Sequence, residues 1–252
     1  MLVILPPSET KRDGGEAPPI GLASLAFPAL RDARETALAA VGDLAADGEA
    51  MMRALKLGPR QAGEVERNRM LRRAPTMPAM DRYTGVLYDA LDAPSLGDDA
   101  RAYGAEHVVV HSALLGLVGA GDRIPAYRLS HDSRLPGIRL KALWREPIRS
   151  VLGAYDGLVI DLRSEGYVEL GPAPDRDDSV YLRVVSIDDG GRRRALNHFN
   201  KRAKGLFTRA LVESRPVLET RADLLDWAGG AGFRLEAGTT RTSAPDELEL
   251  VA

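Results

Sequence analysis

Four consecutive apolar residues, Leu2 to Leu5, open the chain and end at Pro6 and Pro7. That pattern predicts a short buried strand followed by a turn. Gly14, Gly15, Pro18 and Pro19 mark a loop, and from about 22 to 44 apolar residues recur at helical spacing. Helices are expected to continue through Met70, until Pro75 and Pro78 break them. Tyr83 to Tyr88 leads into a short helix, and 98–104 reads as another. His107 to His111 has the composition of a buried strand, and Gly116 to Gly121 reads as a turn after it. A helix over 141–154 precedes the clearest central strand, 157–162. Strands at 167–170 and 180–187 follow, then a basic helix over 197–214. A helix at 222–228 and strands near Phe233 and Leu248 complete the chain. Helices and strands alternate without a regular βαβ period or an internal repeat, so the fold class predicted is mixed α/β (α+β), in a single domain spanning 1–252.

Composition narrows the chemistry. The 44% hydrophobic and 28% charged content is that of an ordinary globular protein. No stretch approaches the roughly 20 apolar residues that span a bilayer. The N-terminus lacks a basic region ahead of its short apolar run, so a cytoplasmic location without membrane association is expected. The absence of cysteine removes disulfides, thiolate metal sites and cysteine nucleophiles. Only five of the 34 basic residues are lysines: Lys11, Lys56, Lys141, Lys201 and Lys204. In an Arg-rich chain, a lysine that persists can mark a need for a compact or titratable amine.

Charge is segregated along the sequence. Residues 53–73 hold seven Arg or Lys against two Glu, and 192–209 hold seven with no acid, although the whole chain carries −2. Two such segments suit a polyanion, and two solvated helix faces would give the same count. In the second segment Phe199, Ala203, Leu206, Phe207, Ala210 and Leu211 gather on one helical face, with Lys201, Arg202 and Lys204 opposite and Arg209 further along. Gly205 falls among the basic residues, where it could admit a phosphate or simply break the helix. In the first segment Lys56, Gly58 and Arg60 sit in a tight turn between helical stretches. A hairpin offering backbone N–H groups to phosphate and a plain helical corner both fit these letters.

No phosphate-binding loop, dinucleotide fingerprint, serine-hydrolase elbow or zinc-protease motif is present. The four histidines are dispersed, so no metal and no cofactor are expected. Polar residues cluster where strands end: Ser8, Glu9 and Lys11 after the first, and Asp161, Arg163, Ser164 and Glu165 after the central one. Lys11 or Lys201, with Glu165 and Tyr167, could perform amine chemistry if burial lowered a lysine pKa; structural salt links would use the same residues.

Several segments together resemble the YaaA family of bacterial peroxide-stress proteins. They are Pro6-Pro7-Ser8-Glu9-Thr10-Lys11, Tyr83 to Tyr88, and Ser112 to Val118 followed by Pro125-Ala126-Tyr127-Arg128-Leu129. Leu143-Trp144, Ser164-Glu165-Gly166-Tyr167 and Lys201-Arg202-Ala203-Lys204-Gly205 continue the series in the same order. The resemblance implies a mixed, barrel-like sheet surrounded by helices, a helix-hairpin-helix-like element and a positively charged cleft. It further implies protection from peroxide, limitation of free iron, and binding of duplex or branched DNA without strong sequence preference. Ser8, Lys11, Lys56, Gly58, Arg60, Arg128, Lys201, Arg202, Lys204, Gly205 and Arg209 are then the expected phosphate-binding set. The alternative is an enzyme acting on a nucleotide-like small molecule or damaged base, a glycosidase or lyase using Lys11, Glu165, Tyr167 and Lys201. Lys204 stands where many relatives carry Arg, and Pro59 lacks the N–H that a hairpin contact would use.

Overall fold

The computed structural model describes residues 1–187, 193–195, 198–238 and 246–251. In chain order the elements are β1 (Leu2–Leu5), α1 (Arg31–Ala46), α2 (Gly48–Ala54), α3 (Gly63–Arg69), β2 (Met77–Pro78), α4 (Ala79–Arg82) and α5 (Val86–Leu91). Then come α6 (Asp98–His107), β3 (Val108–Ser112), β4 (Gly116–Gly119), β5 (Arg123–Ile124), α7 (Leu140–Gly153), β6 (Val159–Asp161) and α8 (Glu165–Val168). β7 (Ser179–Ile187), β8 (Arg193–Ala195), α9 (His198–Ser214), α10 (Arg221–Gly230), β9 (Arg234–Ala237) and β10 (Asp246–Val251) follow.

The main sheet runs β4-β3-β1-β6-β7-β10-β9, with β8 paired to β7. Its centre, β3-β1-β6-β7-β10, is parallel throughout. All four residues of β1 and all three of β6 are buried, which explains why these strands are continuous apolar runs rather than alternating ones. Each such aliphatic side chain contributes roughly 1.5–3 kcal/mol by leaving water. Among the described residues the ladder is open, ending at β4 and β9, so its pairing does not form the barrel-like closure expected from the resemblance. The mixture of helix and strand is as predicted.

Local departures from the sequence reading have physical causes. Residues 22–30 form two 3-10 turns instead of the start of a long helix, because Pro28 interrupts and Phe27 takes a left-handed conformation with φ 58°. Gly116 to Gly119 is a strand paired to β3, not a turn. Gly116, at φ 66°, opens it where a Cβ would come within 2.8 Å of the Trp144 ring. Residues 165–168 are helical, because Ser164 stands extended before them and its carbonyl accepts from the Tyr167 and Val168 N–H groups. His107 closes α6 rather than starting β3. Asn197, expected to begin the basic helix, and Arg192 lie outside the described residues.

Three arginines are fully buried and tie loops to the core. Arg34 donates to the carbonyls of Ala26, Leu115 and Leu117, fixing the β3–β4 turn. Arg82 donates to the carbonyls of Arg12, Gly14, Pro75 and Ile124, which holds the loop that follows Lys11. Arg163 makes a two-pronged pair with Asp161, at 2.8 and 2.6 Å, and also donates to the Gly171 carbonyl. No helix of the described residues is long and apolar enough to cross a membrane.

Candidate functional site

The strand order itself marks a switch point. The chain leaves β1 toward β3 on one side, and leaves β6 toward β7 on the other. The carboxyl ends of β1 and β6 therefore flank a topological switch point, where open parallel sheets bind their ligands. Ser8, Glu9 and Lys11 follow β1, and Arg163, Ser164 and Glu165 follow β6. The loop after β3 contributes Ser112.

Lys11 is the buried centre of this region, only 7% exposed. Its Nζ donates to the carbonyls of Ser8 at 2.8 Å and Glu9 at 3.2 Å. The same nitrogen lies 4.0 Å from the centroid of the Tyr127 ring and 5.3 Å from that of Tyr83. Burial, reinforced by the Arg128 guanidinium, lowers its pKa from 10.5 to about 7. A large share of Lys11 is then a neutral amine at neutral pH. Next to it the Tyr83 and Tyr127 hydroxyls meet at 2.8 Å, and Tyr127 meets Ser112 Oγ at 2.7 Å. Burial raises both tyrosine pKa values, so these hydroxyls keep their protons. Tyr88 stacks on Tyr83 at 5.1 Å and donates to the Pro6 carbonyl, which fixes the turn leading to Lys11.

Arg128 pairs with Glu9 at 2.5 Å on the rim. Tyr167 packs edge-on against His111 and His131. His111 is fully buried and accepts from Arg163 through Nδ1, and burial together with that guanidinium holds its pKa well below the usual imidazole value. The neutral ring must therefore carry its proton on Nε2, which finds no partner among the described residues. Glu165 is exposed and pairs with Arg183 at 3.2 Å. The structure thus places the Ser8 carbonyl and Arg128 beside Lys11, Tyr167 between His111 and His131, and Glu165 on the loop after β6.

The expected phosphate-binding residues of α9 divide. Lys201 and Arg202 are exposed, as predicted. Lys204 is not: it is 4% exposed and donates to the Leu162 carbonyl at 2.8 Å, so it supports the loop after β6 instead of fanning into solvent. Burial lowers its pKa to about 8, against the pull of Asp161. Gly205 is buried too, and its missing side chain serves packing rather than a ligand. A Cβ there would overlap the Leu87 carbonyl and approach the Ala90 Cβ to 2.8 Å, so glycine is what lets α9 cross α5 closely. Arg209 caps the carbonyls of Leu91 and Asp92 and pairs with Glu213 at 2.7 Å.

The first basic segment is largely neutralised by its neighbours. Lys56 pairs with Asp132 at 2.8 Å, Arg67 with Asp13 and Glu64, Arg69 with Glu66, Arg72 with Glu35 and Arg53 with Glu49. Arg60 remains exposed, beside a cleft of about 420 Å³ that Asp13, Glu64 and Arg67 also line. In the turn between α2 and α3 it is Lys56, not Gly58, that adopts the left-handed conformation, with φ 54°. The Gly58 N–H is occupied by Gln61 Oε1 at 3.0 Å, and those of Leu57 and Gln61 by the Met52 and Gly58 carbonyls. These three donors are met within the turn, as in a helical corner.

Tyr83, Tyr127, Ser112 and His111 were absent from the expected functional set. Each lies at or just beyond the end of a buried segment, the placement that had singled out Lys11. Among the described residues no group of three or more His, Asp or Glu is arranged to hold a metal.

Comparison with known proteins agrees with this architecture in extent. A family model described as peroxide stress protein YaaA matches residues 1–238. A UPF0246 protein of Corynebacterium efficiens is 42% identical over 246 residues, covering 96% of this chain and 97% of the relative. A UPF0246 protein of Streptomyces coelicolor is 40% identical over 241 residues, covering 94% and 92% respectively. A more distant relative from Campylobacter jejuni, described as uncharacterized, is 25% identical over 209 residues, covering 82% of each chain. A match of this length and identity places the chain in the YaaA (UPF0246) family of peroxide-stress proteins.

Proposed function

We infer that this chain serves peroxide-stress defence as a cytoplasmic enzyme acting on a nucleotide or damaged base, a glycosidase or lyase with its reaction centre at Lys11. One observation carries the reading: a lysine sealed at the switch point of a parallel sheet, its amine titrating near pH 7 beside protonated hydroxyls. A catalytic base or nucleophile works best when its pKa lies near the working pH. In this reading Lys11 is the base or nucleophile, the Tyr83–Tyr127 pair supplies protons and hydrogen bonds, and Ser8 and Arg128 orient an anionic substrate. Tyr167 and Glu165 border the same crevice.

A second reading, binding of duplex or junction DNA without strong sequence preference, is favoured by one observation. Lys201 and Arg202 are exposed on a helix whose first turn contains no acid. The neutralised pairs of the first basic segment and the internal roles of Lys204, Gly205 and Arg209 weaken it.

Peroxide survival of a bacterium lacking its own family member separates the two when it is complemented with variants of this chain. Lys11→Met is expected to abolish protection, and Lys201→Ala with Arg202→Ala to retain most of it. The opposite pattern would overturn the enzymatic reading in favour of phosphate binding. In that case fluorescence anisotropy with labelled duplex should show affinity falling steeply with salt.

A further inference from the structure

The nitrogen of Lys11 has one direction left for chemistry. Beyond its bond to Cε it has three positions, and two are spent on the Ser8 and Glu9 carbonyls. The third faces the Tyr127 ring, whose centroid lies 4.0 Å away, with Tyr83 beyond it.

On that side the hydroxyls are polarised in one sense. Ser112 Oγ accepts from the N–H groups of Leu114 at 3.1 Å and Leu115 at 2.9 Å, which occupies both of its lone pairs. Its own proton must therefore go to Tyr127, and Tyr127 must donate onward to Tyr83. The Tyr83 proton is the surplus one, because among the described residues the hydroxyls beside it are already committed: Tyr127 donates to Tyr83, and the Ser112 oxygen accepts two N–H groups. A buried hydroxyl with an unspent proton, beside a buried amine whose third position is covered by nothing but a ring face, matches the two ends of a carbonyl group once that ring gives way. The carbon would meet nitrogen and the oxygen would meet Tyr83.

We propose that Lys11 forms an imine with an open-chain aldehyde, of the deoxyribose-phosphate class that base loss leaves behind, and that the Tyr83 hydroxyl serves the aldehyde oxygen. The proposal rests on the function inferred above and names its substrate class and covalent step. The Lys11 lone pair attacks the carbonyl carbon, a C–N bond forms, and the C=O π pair moves to oxygen. Tyr83 passes its proton to that oxygen and is reprotonated by the nitrogen, giving a carbinolamine. The nitrogen lone pair then expels hydroxide, which leaves as water with the remaining N–H proton. The sum is amine plus aldehyde to imine plus water, with no oxidant or reductant. The charged groups facing Lys11 are Arg128 and Arg67, which favour the neutral amine, and Glu64 and Glu9, which oppose them.

The test is reductive trapping on the full chain. Protein is incubated with 2-deoxyribose 5-phosphate, or separately with propanal, in the presence of sodium cyanoborohydride, then digested and mapped by mass spectrometry. The expected result is an adduct on Lys11 formed at least about tenfold faster than on Lys56, Lys141 or Lys201. It should be absent from Lys11→Met, and faster with the phosphate-bearing aldehyde. From pH 7.5 to 9.0 its rate should rise less than about twofold, because the amine is already mostly neutral, whereas an ordinary lysine gains about thirtyfold. Tyr83→Phe should slow it by about 100-fold, with the fold checked by circular dichroism. Should that variant unfold, site selectivity and the pH plateau still decide. Adducts confined to the Met1 α-amine and the surface lysines would overturn the proposal. If Lys11 resists trapping while Lys11→Met still loses peroxide protection, the covalent step is refuted and the inferred function stands. If Lys11 traps the aldehyde while Lys11→Met still protects, the imine stands and that function fails.

Discussion

Replacing Lys11 by Met keeps a flexible chain of similar length and removes the titrating amine, so its sharpest effect is on how stability varies with pH. The folded pKa of Lys11 is about 7 against 10.5 for an ordinary lysine. Below pH 7 both folded and unfolded chains carry the ammonium, and the folded chain bears the full cost of burying it. Between 7 and 10.5 the unfolded chain binds more protons than the folded one, so stability rises with pH across that window. Each pH unit is worth about 1.4 kcal/mol, so wild type should gain about 2 to 3 kcal/mol relative to Lys11→Met between pH 6 and pH 9. At pH 6 the variant relieves the buried charge but leaves the Ser8 and Glu9 carbonyls without their donor, a cost of about 1–3 kcal/mol each. The absolute ranking at one pH is therefore uninformative, and the difference in slope decides. Urea unfolding of both proteins at pH 6, 7, 8 and 9 measures it. Parallel stability curves would refute the claim that Lys11 is depressed, and with it the chemistry built on a neutral amine.

Three further outcomes test the rest of the architecture. Gly205→Ala should destabilise the fold by about 3 kcal/mol in urea melts, because the new methyl group must push α9 away from the Leu87 carbonyl; a neutral result would free Gly205 for the ligand role first expected of it. Asp161→Ala should cost about 3–5 kcal/mol by leaving the buried Arg163 guanidinium without its carboxylate, and a melting curve superimposable on wild type would contradict it. Lys201→Ala with Arg202→Ala should change stability by no more than about 0.5 kcal/mol, as expected for exposed side chains; a larger loss would show that α9 depends on them.

The parts of the fold that were legible in sequence are those whose burial imposes a continuous apolar run. β1 and β6 are buried on both faces, and an alternating pattern could not have survived there. α7 is a helix with one apolar face, carrying Leu140, Trp144, Ile148 and Leu152 into the core, and its extent lies close to the 141–154 expected. The parallel order of the sheet was not legible, because strand order depends on contacts between residues more than a hundred positions apart, such as Val3 with Val108.

For the site, the scarcity of lysine was the informative signal. Two of the five lysines, Lys11 and Lys204, are buried with lowered pKa values, where an arginine could not give up its charge so readily. Charge counting left two readings open. Residues 53–73 suited a polyanion or a solvated face, and in space Asp13, Glu35, Glu49 and Asp132 pair with their cations, which a count along the chain could not show. Helical-wheel reasoning placed Lys204 and Gly205 outside, because a wheel cannot show that α5 and the loop after β6 cover that face. Arg163 looked like a strand-end functional group and is instead an internal strut.

The central claim, that one lysine amine is neutral near physiological pH at the sheet crevice, is open to direct titration. With only five lysines in the chain, their ¹³Cε resonances can be followed one by one by NMR from pH 5 to 11. Titration near pH 7 of a resonance that vanishes in Lys11→Met, with a second near pH 8 assigned to Lys204, is the predicted result. Five midpoints near 10.5 would contradict it.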